Sequence, residues 1–160
     1  MRQWEDRSPA VADMLNPALL AAVIAAAASE YSRLSDEPMP YGYAFLVAPL
    51  VLHHDTRAAL PTSANSHLAR WLANHEVIAA GFGERARALT HPVREGIRLG
   101  LRTGTLRIEN GALYGTLASR TRPARIGDIA NVILKSGFVG RWLTKLDRPA
   151  TAFALFGVTP

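Results

Sequence analysis

Arg94, Arg98 and Arg102 recur every four residues, a spacing that on a helix aligns three guanidinium groups along one stripe. A guanidinium is a planar fork that takes a carboxylate or phosphate through two parallel hydrogen bonds. Like charges at this separation repel by a few tenths of a kcal/mol per pair, so an unanswered stripe calls for an anionic partner. Arg107 stands a few residues further on and extends the basic surface. Between Arg85 and Arg125 nine arginines face only Glu95 and Glu109. The alternative is internal: residues 1–84 hold five arginines against nine carboxylates, a net of −4, while residues 85–160 hold 13 bases against four acids, a net of +9. The acidic half could answer the basic one, or each could face its own partner.

Other chemistry is sparse. The histidines are His53, His54, His67, His75 and His91; none forms a pair four residues apart around a glutamate, the zinc-protease pattern. His53, His54 and Asp55 are contiguous, and adjacent residues on a helix do not face each other, so they read as helix-terminal polar groups. Gly81, Phe82 and Gly83 suggest a phosphate turn, but no strand precedes them. Thr62, Ser63 and Ser66 lack the glycines of a nucleophile elbow. Glu84 and Glu95 stand beside Arg85 and Arg87, and Arg94 and Arg98, which predicts surface ion pairs. With no cysteine in the chain, thiol nucleophiles and thiolate sites are excluded. The expectation is a non-catalytic protein without cofactor or metal.

What must position the stripe is a chain of 160 residues, 49% hydrophobic, the size and composition of one globular domain that buries roughly 70% of its unfolded surface. Its longest apolar run, Pro17 to Ala28, is shorter than the roughly 20 residues a bilayer requires. The acids Glu5, Asp6 and Asp13 before it disfavour a secretory signal. The reading is cytoplasmic. Asn16 and Pro17 predict a helix start, with helix to about Leu34; apolar on nearly every side, it belongs in the core or against a partner chain. Tyr41 to Leu52 reads as a helix kinked at Pro49, with a buried strand as the alternative. A turn follows over Thr56 to Leu60, and a short helix over Ser66 to Ala73. Ile78, Phe82, Ala86 and Leu89 mark a helix over Glu76 to Leu89; Thr90, His91 and Pro92 predict a new one, with Val93, Ile97 and Leu101 inward and Gly104 as its cap.

Asn110 and Gly111 are the favoured pair for a two-residue hairpin turn. The register that follows sets Glu109 opposite Ala112, Ile108 opposite Leu113, Arg107 opposite Tyr114 and Leu106 opposite Gly115, with Leu106, Ile108, Leu113 and Leu117 on one apolar face. Ser119 to Arg125 is a basic connector carrying Arg120, Arg122 and Arg125. Ile126, Ile129 and Ile133 mark a last helix, broken near Gly137 and Gly140, whose apolar face Trp142, Leu143 and Leu146 continue; Pro149 to Pro160 is apolar enough to dock. The expected fold is α+β and predominantly helical: an N-terminal apolar helix, winged-helix-like helices with one β-hairpin over 105–117, and a C-terminal helix. Residues 1–160 form a single domain, divided into a lead (1–37), a core (38–118) and an extension (119–160).

Phe45, Leu46, Pro49, Leu50, Leu52 and His53, followed by Arg57, Leu60 and Pro61, resemble the central block of the middle component of three-component ABC systems, which are bacterial conflict or anti-phage loci. The resemblance runs on through Trp71, Asn74, Gly81, Phe82, Arg85, Ala86, Leu89, Pro92, Arg94 and Glu95. It extends into Gly140, Arg141, Trp142, Pro149, Gly157, Val158 and Pro160, and begins at Asn16, Pro17 and Ala18. It implies a small adaptor between an SMC-like ABC ATPase and a variable third protein, with no catalytic residues of its own. Val47, Ala48 and the doubled His53, His54 depart from the pattern, which has a basic residue after the first histidine; Asp55 lowers the local charge further. Two readings stand: the adaptor, and a winged-helix DNA-binding protein using Arg94, Arg98, Arg102 and Arg107 on phosphates. Arg141 and Trp142 join these four as candidate partner contacts. Non-specific DNA contact and a homodimer stay open; a membrane partner is not expected.

Overall fold

A helix stretch that is apolar on nearly every side can be satisfied only by being surrounded, and the middle of the first described helix is. The computed structural model describes residues 15–117 and 128–159. Helix α1 (Pro17–Ser35) starts where the Asn16 side chain accepts the Ala18 N–H at 2.8 Å and ends at Asp36, in the left-handed region at φ 59°. Leu20, Val23, Ile24, Ala25, Ala27 and Ala28 are all fully buried, so the helix is core. Its alanines permit backbone-to-backbone approach, and the neighbouring elements meet them with glycines. A Cβ built at Gly140 or Gly115 would collide with the α1 backbone at Ala27 or Ala25, and one at Gly96 would lie 2.6 Å from the Leu20 Cβ.

After α1 come a short strand β1 (Met39–Pro40), a single 3₁₀ turn over Tyr41–Tyr43 and α2 (Ala44–Leu52), which contains Pro49. Tyr41 to Leu52 is thus helical, entered through the tighter turn. Next are α3 (His54–Ala58), α4 (Leu68–Ala73), α5 (Glu76–Thr103), the hairpin β2 (Leu106–Glu109) and β3 (Ala112–Gly115), α6 (Ile129–Leu143) and α7 (Pro149–Leu155). The protein is mainly helical with a small antiparallel sheet. One contiguous core collects apolar side chains from α1, α2, α4, α5, α6 and α7, the docked tail supplying Ala152, Phe153 and Phe156.

Three expectations need correction. The two helices expected on either side of Pro92 are one, α5. An interior proline forfeits the hydrogen bond to the fourth residue before it, but Phe82, Ala86, Val93 and Ile97 anchor α5 in the core on both sides of Pro92, and that burial outweighs a single lost bond. Leu101 is 38% exposed; the inward position is Gly100, which lies beneath Leu106. Nor do Gly137 and Gly140 break the last helix, since α6 runs unbroken through both.

The hairpin register is as expected at all four pairs, with Asn110 and Gly111 both at positive φ. The sheet also has a strand that periodicity over two residues could not reveal: β1 pairs with β3, Met39 opposite Leu113, to give the order β1-β3-β2. Leu113 on the central strand and Leu106 are buried, whereas Ile108, on the edge strand, is 43% exposed and Leu117 is 37% exposed. The apolar face therefore extends beyond the helix layer that covers it. The connector arginines Arg120, Arg122 and Arg125, and Ile126, lie outside the described residues.

Candidate interaction surface

The polar face of α5 carries Arg94, Arg98 and Arg102, all exposed. Among the described residues none of the three takes part in an ion pair, and of the described acids in residues 1–84 Glu30 pairs with Arg33 and Arg141 and Asp55 with His54. Glu95 approaches His91 Nδ1 at 3.6 Å instead of the flanking arginines. Arg85 folds back along α5 and donates from Nη2 to the Ile78 carbonyl at 2.8 Å. The surface ion pairs expected for Glu84 and Glu95 with those arginines are absent among the described residues. Arg107 differs from the stripe: its Nε lies 3.1 Å from Glu109 and its Cζ 4.6 Å from the Tyr114 ring centre, so the hairpin answers this charge locally.

Arg141 and Trp142 are placed otherwise than expected. Trp142 is buried at 2% exposure, donates from Nε1 to the Ser66 carbonyl at 2.7 Å and meets Trp71 edge-on with ring centres 5.3 Å apart. It is a core residue, because a large indole with a satisfied N–H gains more from burial than from a wet surface. A substitution there would act on the fold before it acted on any partner. Arg141 Nη1 lies 2.5 Å from Glu30 Oε2, tying α6 to α1, and Arg33 reaches the same carboxylate at 2.8 Å.

Arg33 first, and then Arg141, hold the Glu30 carboxyl below its ordinary range against the opposing effect of partial burial. A depressed folded-state pKa contributes stability that is complete above the unfolded value of about 4.3 and lost as pH falls through the folded value. Acid titration of the wild type should therefore lose more stability between about pH 5 and pH 3 than Glu30→Gln loses. Denaturant midpoints measured across that window check the sign; equal losses would remove the linkage. Burial pushes the Tyr43 hydroxyl up to about 12, with Tyr31 contributing, so it stays neutral. His53 closes α3 as an N-cap, its ring accepting the Thr56 N–H, in agreement with the helix-terminal reading.

Sequence reasoning missed a cleft of about 390 Å³ between α5, the Tyr41–Tyr43 turn and the segment after α7. Tyr41, Phe45 and Phe153 form its aromatic walls, and Arg87 and Arg94 stand on its α5 side with Thr90 between them. The four-residue spacing of Tyr41 and Phe45, whose rings meet edge-on at 5.5 Å, was a local signal. The approach of the C-terminal segment was not visible locally.

Fold and surface together define a predominantly helical α+β protein that presents, among the described residues, a cationic helix face without ion pairs beside an aromatic cleft. The chain belongs to the family described as ABC-three component (ABC-3C) system Middle Component 3, whose model matches residues 4–160, which bears out the middle-component resemblance read from the sequence. No curated protein and no solved structure matches it. Of the residues that carried the resemblance, Phe82, Ala86, Arg57, Trp71 and Trp142 are buried, whereas Arg94 is exposed.

Proposed function

We propose that this chain is a non-catalytic adaptor that bridges an SMC-like ABC ATPase and a variable third component of a bacterial anti-phage system in the cytoplasm. Membership of a middle-component family over nearly the whole chain supports the reading. The exposed stripe Arg94, Arg98 and Arg102, without ion pairs among the described residues, is the surface best suited to an acidic partner, because solvent-exposed arginines present their bidentate fork to a carboxylate. Co-expression with the products of the neighbouring genes tests it. Both should co-purify with the chain, and charge reversal at all three positions should weaken capture at least tenfold. A chain that stays free of both neighbours at micromolar concentration would remove the reading.

A second reading is supported by the placement of Arg107 on the hairpin just beyond the stripe, in the outline of a winged-helix domain with the hairpin as wing. On that reading the arginines meet DNA phosphates. Duplex affinity should then fall by about one logarithmic unit per tenfold rise in salt for each phosphate neutralised, and a flat salt series would exclude it. The continuous α5 weighs against it, since a helix-turn-helix needs a turn between its two helices.

A further inference from the structure

We infer that the cleft beside α5 receives an acidic–aromatic segment of a partner protein, an aromatic side chain entering between Phe45 and Phe153 and a flanking carboxylate meeting Arg87 and Arg94. The inference rests on the adaptor reading and names the chemistry of one of its contacts. The cleft volume, about 390 Å³, lies within the range of formed ligand sites, and its walls are mainly aromatic and apolar. Gly42 allows these walls to close together. A Cβ there would lie 2.9 Å from the Phe153 ring, so any larger residue would displace that ring.

Charge specifies the remainder. Arg87 and Arg94 are seven residues apart on α5, two helical turns or about 10.5 Å along the axis, and so line the same side of the opening. Both are exposed, and neither forms an ion pair among the described residues. The Thr90 hydroxyl between them donates to the Ala86 carbonyl at 3.2 Å, so its single proton is engaged within α5 and the cationic donors of this wall are Arg87 and Arg94. Two cationic forks beside an apolar cavity suit an apolar group with an adjacent carboxylate. A nucleotide fits less well, because Gly83 lies within α5 and offers no free backbone N–H groups to a phosphate.

The probe is a capped pentapeptide of alternating glutamate and tryptophan, titrated into the labelled full-length chain and followed by amide chemical shifts. Shifts should concentrate at Gly42, Phe45, Thr90, Phe153 and Val158. Replacing the probe's glutamates by glutamine, or introducing Arg87→Gln with Arg94→Gln in the protein, should weaken binding at least tenfold. Equal binding of both peptides, shifts centred on Arg98 and Arg102, or a pentathymidylate that fills the cleft where the peptide does not would each overturn the inference. Full retention of the neighbouring components by the Arg87→Gln, Arg94→Gln protein would also overturn it while leaving the adaptor reading intact. Loss of those components from the wild type alone would sink the adaptor reading instead.

Discussion

Gly140→Ala should destabilise the protein by about 3 kcal/mol or more, lowering the melting temperature by about 10 °C. The sign is the reverse of what helix propensity gives, since alanine for glycine in an exposed helix interior stabilises by about 1 kcal/mol. At Gly140 the new methyl would overlap the Ala27 carbonyl oxygen and lie 2.8 Å from the carbonyl carbon. A side chain could turn aside, but the backbone of α1 cannot move without separating from α6, its principal packing partner. Gly115→Ala should behave alike, its methyl 2.7 Å from the Ala25 Cα. Gly137→Ala is the comparator: the nearest atom is the Glu30 Cγ at 3.1 Å, on a flexible side chain, and the cost should stay below about 1 kcal/mol. Thermal melts of the three variants check the ranking; a Gly140→Ala protein as stable as wild type would defeat it.

Asp128→Ala should destabilise more than Arg57→Met, although aspartate is the more exposed partner. Arg57 is buried at 1% exposure, and its Nη1 donates to the Val51 carbonyl at 2.6 Å while Nη2 pairs with Asp128 at the start of α6. Val51 is in the last turn of α2, where carbonyls lack helical partners, so Arg57 caps that end. Removing Asp128 strands a guanidinium in the core without its counter-charge, a loss of about 3 kcal/mol. Arg57→Met removes the charge itself, keeps the volume and leaves Asp128 to solvent; its cost is the orphaned Val51 carbonyl, about 1–2 kcal/mol. The double variant should be no less stable than Arg57→Met. Urea unfolding of the three proteins measures the order, and the opposite order would show that Asp128 contributes little to holding the buried charge.

Local rules read correctly at the caps, the hairpin turn and the helical spacing of charge, but not at Pro92, where a neighbouring-residue signal for a helix start was overridden by burial on both sides. Asn16 and Pro17 start α1, Asn110 and Gly111 set the hairpin with every pair in register, and the Arg94, Arg98, Arg102 spacing gives one exposed stripe because 3.6 residues per turn brings each fourth residue to the same side. Arg85 and Glu95 were read from charge alone, and there a carbonyl two turns back on the same helix and a histidine one turn back took the place of the expected partners.

The sequence by itself determined a predominantly helical α+β chain with its positive charge in the second half, and the ordered residues that mark the middle-component family. Tertiary structure decided whether α1 is core or interface, joined the two helices across Pro92, placed Trp142 inside and closed the aromatic cleft. The physical reason is common to all four. Periodicity reports which face of an element is apolar but not what covers it, and a glycine reads locally as a break until a helix backbone distant in sequence fills the space its missing side chain leaves.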